Sequence, residues 1–141
     1  MKIGTLLGAL AGAIVMFLLG FLFFGVLFAD YFRANTIVYA GLMKDPPAFA
    51  LIFLFNIVWA WLIAWVLEYA GRSGWGEGAK AGAIIMFMIG LGMNLEFEAF
   101  MNVHKSLTPI IVDLVIVIVM GAVTGAVIGV VRGFFNKPTQ L

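Results

Sequence analysis

The chain has 141 residues, of which 65% are apolar and only 11% carry a charge, and its mean hydropathy is +1.16. A soluble domain of this size needs many more polar side chains to cover its surface, so the composition indicates a membrane protein. The formal net charge of +1 excludes the strongly basic surface that binds nucleic acid. The absence of cysteine excludes disulfides, thiolate metal sites and thiol catalysis.

The first apolar segment, residues 3–29, contains no charge and is much longer than the core of a secretory signal sequence. We therefore expect it to be a retained membrane helix. Three further segments reach the length of about 20 apolar residues that the hydrocarbon core requires, namely residues 48–70, 78–101 and 109–134. Asp45 followed by Pro46 and Pro47 predicts a cap and a proline start for the second helix, and Thr108 followed by Pro109 predicts the same for the fourth.

Clustered glycines in residues 72–78 predict a turn between the second and third spans. Because the connections are short, consecutive helices are expected to be antiparallel, and the predicted fold is an all-α integral membrane four-helix bundle that forms one domain over residues 1–141. An even number of spans puts both termini on one side.

The Lys and Arg residues are divided unequally between the two sides. The side of the termini carries Lys2, Arg72, Lys80, Arg132 and Lys137, whereas the other side carries Arg33, Lys44 and Lys105. This bias favours cytoplasmic termini, and we expect a multi-pass protein of the inner (plasma) membrane.

One stretch of sequence occurs twice. Residues 8–20 read GALAGAIVMFLLG and residues 78–90 read GAKAGAIIMFMIG, with nine of the thirteen positions identical. Both lie in spans that run in the same direction, so the match predicts a duplicated two-helix unit with parallel repeats about an axis normal to the membrane. The alternative is that Gly, Ala and Ile, which are common in membrane helices, align by chance. The second and fourth spans show no convincing match.

Glycines four residues apart recur in the first, third and fourth spans. Residues at i and i+4 share one helix face, and a row of glycines, here called a glycine ladder, lets two helix backbones approach closely within lipid. The ladders predict tight helix packing, but the partner helix could belong to the same chain, to a second copy or to another protein. The predicted packing residues are Gly4, Gly8, Gly12, Gly78, Gly82, Gly121, Gly125 and Gly129.

Polar residues inside the spans form a candidate polar cluster of Asn56, Asn94, Glu96 and Asp113. A carboxylate inside a span suggests a function because burying it without a partner is costly. The functional hypothesis is a polar cup on the outer side, lined by Asn94 and the two carboxylates and closed by Arg33 or Lys105. The alternative for each asparagine is an interhelical hydrogen bond. The alternative for Asp113 is a favourable position near its helix N terminus, and Glu96 is close enough to the interface to reach water.

Recognised catalytic and cofactor motifs are absent from the sequence. His104 is the only histidine, and Glu96 and Glu98 are two residues apart and therefore point to different sides of a helix. A phosphate-binding glycine loop, a serine nucleophile with its base and an HExxH motif are missing. We therefore expect no cofactor, no metal site and no enzymatic activity.

The layout of the chain resembles a known class of protein. GFLFFGVLFADYFRANT follows the first repeat, GAKAGAIIMFMIGLGMN begins in the third span, and a glycine-ladder helix closes the chain. Together these stretches resemble small bacterial four-helix membrane proteins of the domain-of-unknown-function type. The resemblance covers nearly the whole chain and implies a prokaryotic inner-membrane protein. It implies no functional residue, because such families have no assigned activity.

The function predicted from these features is non-enzymatic. We expect a small membrane protein that packs as a homo-oligomer or as an accessory subunit of a larger membrane complex. Its expected partners are the lipid bilayer and other membrane helices, but not nucleic acid. The alternative is a small oligomeric channel or transporter that uses the acidic residues of the outer side, and four helices per chain are few for a private pathway.

Overall fold

The computed structural model describes residues 2–135, in which the long elements are all helical. Four stretches in this range are long and apolar enough to cross a membrane: Ile3–Leu27, Phe49–Tyr69, Trp75–Phe100 and Thr108–Phe135. The predicted all-α four-helix bundle is therefore confirmed, and the chain is a multi-pass membrane protein. Lys137, one of the charges that predict the orientation, lies outside the described residues.

The four spans run antiparallel to one another, and residues 2–135 form six helical elements. They are α1 (Ile3–Gly20), a π-helical segment (Phe21–Leu27), the short α2 (Ala29–Asn35), α3 (Phe49–Tyr69), α4 (Trp75–Phe100) and α5 (Thr108–Phe135). We call the end of the bundle that holds Lys2 and residues 70–74 the terminal end. The opposite end, formed by residues 36–48 and 101–107, is called the loop end.

Two helix starts differ from those predicted. α3 begins at Phe49 without a side-chain cap, so the prediction that Asp45 caps this helix is wrong. α4 begins at Trp75, three residues before the predicted start at residue 78, because the turn is narrower than the glycine cluster. Gly71 and Gly74 are the residues of this turn with positive φ, 65° and 92°, which other residues adopt only with strain.

The first span is not an α-helix throughout. The N–H of Phe28 donates to the carbonyl oxygen of Phe23 at 2.8 Å, a bond between residues five apart that is typical of a π-helix. The helix is then interrupted at Phe28, and the chain continues as α2. Apolar periodicity predicts one uninterrupted helix here, because the side chains of both geometries are equally apolar.

α5 is the element on which the bundle is assembled. α4 packs along α5, and α1 packs between α5 and α3. α3 and α4 make few contacts with each other, so this side of the bundle is the least closed. From the middle to the terminal end, the space between the helices is filled by small and branched side chains that are almost completely buried, namely Ala13, Ala60, Ile63, Ala64, Leu67 and Ile128.

The outward faces of the helices are apolar. On α1, Leu6, Leu10, Ile14 and Leu18 form an exposed row on the side opposite the glycines. A row of this kind is unfavourable in water but is the expected surface of a helix that faces hydrocarbon. The outward faces therefore fit contact with a lipid bilayer.

The interface between α4 and α5 is built from glycine. A methyl group on Gly82 would overlap the carbonyl oxygen of Gly121, and one on Gly125 would overlap the carbonyl oxygen of Gly78. The backbones are close enough for the N–H of Gly74 to donate to the carbonyl oxygen of Gly129 at 2.8 Å. No side chain larger than hydrogen fits between these backbones.

α1 uses its glycines against α5 as well. A methyl group on Gly12 would lie 2.6 Å from Cδ1 of Ile128, and one on Gly8 would lie 3.2 Å from Cγ of Arg132. Gly4 is also buried. Gly8, Gly12 and the ladder glycines of α4 and α5 thus contact a helix of the same chain.

The two copies of the repeated sequence lie on two sides of α5. Gly8 and Gly12 of α1 face α5, and so do the equivalent Gly78 and Gly82 of α4. A duplicated hairpin would also relate the α1–α5 contact to an α3–α4 contact, but the first is extensive and the second is small. Packing against a common helix is therefore a sufficient physical reason for the match, and duplication stays a prediction.

Candidate binding cavity

A cavity of about 950 Å³ occupies the half of the bundle near the loop end. Aromatic side chains form much of its wall: Phe17, Phe21 and Phe24 from the first span, and Phe49, Phe55 and Trp59 from α3. Met16, Met86 and Met120, from three different helices, line it at mid-bundle, where the packed core begins. The cavity therefore lies beside the π-helical segment, beyond the glycines of α1 that pack against α5.

The loop end of the cavity is covered by two connections that pair with each other. The N–H of Ile37 donates to the carbonyl oxygen of Val103 at 2.7 Å, and the N–H of Lys105 donates to that of Asn35 at 3.0 Å. An isolated antiparallel bridge joins Thr36 to His104 between these two bonds. Val103 and His104 line the cavity, so this backbone pairing holds its cover in place.

The main polar feature of the wall is a pair formed by Asn94 and Asp113. Nδ2 of Asn94 donates to Oδ2 of Asp113 at 2.7 Å and also to the carbonyl oxygen of Gly90 at 2.9 Å. Asn94 is only 7% exposed. Asp113 lies five residues after the start of α5, about 8 Å along the helix. It forms no ion pair with any Lys, Arg or His of residues 2–135.

Asn56 also lines the cavity but is bonded differently from Asn94. Its side chain is 3% exposed, and Nδ2 donates to the carbonyl oxygen of Ile52 in its own helix at 2.7 Å. The interhelical bond considered for both asparagines therefore exists for Asn94, whereas the amide nitrogen of Asn56 bonds within α3.

His104 is a lining residue that the sequence did not single out as a site. Its Nδ1 lies 2.7 Å from Oε1 of Glu98, and its side chain is largely buried. From the sequence alone, His104 is a single histidine in a loop. Its place beside the cavity depends on a backbone bridge between residues 68 positions apart, which no local sequence pattern indicates. No group of three or more His, Cys, Asp or Glu residues suited to a metal ion occurs in the described part of the chain.

The polar cup expected from the sequence is only partly assembled. Asn94 and Asp113 come together, but Glu96 is exposed and is not among the lining residues. Arg33 lies 3.5 Å from Asp30 at the surface, and Nζ of Lys105 donates to the carbonyl oxygen of Ala34 at 2.8 Å. Neither cation closes over the carboxylate as expected.

A second polar arrangement lies at the terminal end and has a structural role. Arg132 is 4% exposed, its Nε donates to Oγ1 of Thr5 at 3.1 Å, and its guanidinium also donates to the carbonyl oxygen of Arg72. These bonds join α1, α5 and the α3–α4 connection. Nearby, Glu77 pairs with Arg72 at 3.3 Å and with Lys80 at 3.8 Å.

No family model, curated protein or solved structure matches this chain. Within the described residues, the cavity combines apolar walls with one carboxylate, two amides, one imidazole and the indole of Trp59. Such walls bind an apolar body, and a few fixed polar groups orient it.

Proposed function

We propose that this chain is a non-enzymatic membrane protein that binds an apolar or amphiphilic small molecule from the bilayer. The observation that carries the proposal is the cavity of about 950 Å³ in a bundle whose other half is tightly packed. Pockets for drug-sized molecules usually measure about 300–1,000 Å³ and have mostly apolar walls. The cavity falls in this class by size and by lining.

The lining of the cavity also favours an apolar occupant. Water fills apolar cavities poorly because it needs several polar partners, and polar groups are few on this wall. An apolar occupant is therefore the favourable solution.

The packing of the helices supports entry from the side. The paired connections cover the loop end, and the buried core closes the direction of the terminal end. α3 and α4 make few contacts with each other, so separating these two helices disrupts little packing. In this proposal the ligand passes from the hydrocarbon between α3 and α4.

Fluorescence of Trp59 tests the proposal. Trp59 lines the cavity, whereas Trp61, Trp65 and Trp75 do not, and replacing these three by Phe leaves one reporter. A long-chain alcohol with bromine atoms in its chain, added to the protein in lipid nanodiscs, should quench Trp59 saturably. Linear quenching, as expected of simple partition into lipid, would contradict the proposal.

A matched pair of variants on α5 localises the binding. Val117 lines the cavity, so Val117→Phe should fill part of it and weaken saturable quenching about tenfold or more. Val119 faces outward, and Val119→Phe adds the same bulk to the lipid-facing surface. Equal effects of both substitutions would indicate binding at the outer surface instead.

The homo-oligomer or accessory-subunit prediction has a separate test. The glycines that suggested it pack within one chain, so a partner would have to use the outward apolar faces. Native mass spectrometry from mild detergent distinguishes a monomer from an oligomer or a mixed complex. Additional chains in the assembly would support this prediction.

The channel or transporter alternative requires a polar path across the membrane. In one chain, the buried residues between the polar wall and the terminal end are mostly apolar, such as Ala60 and Ile63, so such a path would need an interface between chains. Asp113→Asn and Glu96→Gln should then abolish flux in vesicles that contain an oligomer. Intact flux in both variants would exclude a carboxylate-dependent pathway.

A further inference from the structure

We infer that the ligand of this cavity is a lipophilic cation, an apolar body that carries one ammonium group, and that Asp113 binds the ammonium. The inference rests on the proposed function and adds the chemical class of the ligand. The geometry that points to it is a carboxylate with one fixed oxygen on the wall of an aromatic cavity whose described lining residues include neither Lys nor Arg.

The carboxylate of Asp113 has no salt-bridge partner within residues 2–135, although the imidazole of His104 is near enough to interact with it electrostatically. Asp113 forms no ion pair, and the described lining includes neither Lys nor Arg. His104, the other ionisable lining residue, is engaged with Glu98 at 2.7 Å. A carboxylate inside a membrane span is costly unless it is paired. A cation in the cavity supplies the pairing that the chain does not.

Asn94 prepares the carboxylate for such a partner. Its amide occupies Oδ2 of Asp113 and fixes the side chain, because the same nitrogen is also held by the carbonyl oxygen of Gly90. No hydrogen bond is formed at Oδ1 by the described residues, so this oxygen can accept one from a ligand. A bond from a charged donor to this oxygen is stronger than one between neutral groups.

The rest of the wall favours the same ligand class. Aromatic rings attract an ammonium group in addition to an apolar chain, and aromatic residues from several helices line this cavity, including Phe24, Trp59 and Phe97. A carboxylate or phosphate on the ligand would lie near Asp113 with neither Lys nor Arg among the described lining residues to balance it, and His104 is already engaged with Glu98. Anionic amphiphiles and phospholipid headgroups are therefore disfavoured.

A series of head groups on one chain tests the inference. The single-tryptophan protein that retains Trp59 is placed in nanodiscs of zwitterionic lipid, and four probes with the same brominated chain are titrated. Their head groups are a primary ammonium, an alcohol, a carboxylate and phosphoethanolamine. The ammonium probe should bind about tenfold or more tighter than the alcohol, and the other two should bind more weakly than the ammonium.

Two carboxylate variants assign the preference. Asp113→Asn keeps an acceptor for Asn94 but removes the charge, so the ammonium and alcohol probes should bind within about twofold of each other. Glu96→Gln removes an exposed carboxylate at the same end and should keep the full preference. If Asp113→Asn fails to fold, Asp113→Glu keeps the charge and should keep a preference for the ammonium.

The outcomes separate this inference from the proposed function. Equal binding of the ammonium and alcohol probes to the unmodified cavity overturns the inference and leaves the proposed function intact. A preference that survives Asp113→Asn also overturns it. Tight binding of the phosphoethanolamine probe would identify a lipid headgroup and refute the exclusion of phosphate. The absence of saturable quenching by every probe overturns both proposals.

Discussion

Nδ2 of Asn94 lies 2.7 Å from Oδ2 of Asp113, and this hydrogen bond joins α4 to α5 where the cavity begins. The two helices are otherwise held together largely by glycine backbones. The bond is therefore a side-chain contact in the loop half of this interface, whereas the terminal half is held by close glycine backbones and the backbone hydrogen bond from Gly74 to Gly129.

The first prediction concerns the strength of this bond. Asn94→Leu should destabilise the protein when Asp113 is present, because the carboxylate loses its donor. In an Asp113→Leu background the same substitution should be nearly neutral. We expect a coupling free energy of about 0.6–2 kcal/mol from the double-mutant cycle, measured by reversible unfolding in bicelles. Additive effects would show that the two side chains act independently.

The second prediction compares two glycines of α4. Gly82→Ala should lower the free energy of unfolding by about 3 kcal/mol or more, at the upper end of overpacking effects, because its methyl group would meet the Gly121 backbone, which cannot move aside. Gly92 has open space around it, and Gly92→Ala should be neutral or stabilise the helix by up to about 1 kcal/mol. Thermal unfolding in mild detergent measures both. Similar melting temperatures for the two variants would contradict the close backbone contact.

The third prediction concerns the buried arginine at the terminal end. Arg132→Met should cost about 1–3 kcal/mol, because Oγ1 of Thr5 and the carbonyl oxygen of Arg72 lose their donor. Arg33→Met is the matched control, since Arg33 is 77% exposed and should change stability by no more than about 0.5 kcal/mol. Unfolding of the purified variants gives both values, and equal losses would show that charge alone is responsible.

The fourth prediction concerns orientation. Because the chain has no cysteine, single cysteines can be introduced into a clean background at Ser73 of the terminal end and Ser106 of the loop end, both exposed. If the termini are cytoplasmic, an impermeant thiol reagent should label Ser106→Cys in intact cells and Ser73→Cys only after permeabilisation. The reverse pattern would show that the bias of basic residues does not set the topology.

The spans could be predicted from the sequence, but the cavity could not. A run of about 20 apolar residues identifies a span without any knowledge of its neighbours. The cavity depends on where the π-helical segment begins and on how closely α3 approaches α4. The spacing of apolar residues along the sequence indicates neither. Phe21 and Phe24, for example, are indistinguishable in the sequence from lipid-facing residues.

The polar cluster shows the same division. Asn94 and Asp113 stand out individually as polar residues inside spans, but only the packing of two helices reveals that they bond. Glu96 could have been separated from Asn94 by helix periodicity, because residues two apart lie on different sides of a helix. His104 could not have been placed, since it depends on a backbone bridge to Thr36.

The π-helical segment has a further consequence for the repeated sequence. The two copies match up to Gly20 and Gly90, and the π-helical segment starts at the next residue of the first copy, while α4 continues unchanged. One residue corresponds to a rotation of about 100° around an α-helix. Deleting Leu22 would therefore turn the later side chains of this segment, including the cavity-lining Phe24, away from their present directions. A one-residue deletion would thus alter a whole wall of the cavity. The capacity of this bundle to hold a ligand therefore depends on the rotational register of the helix as much as on the identity of any side chain.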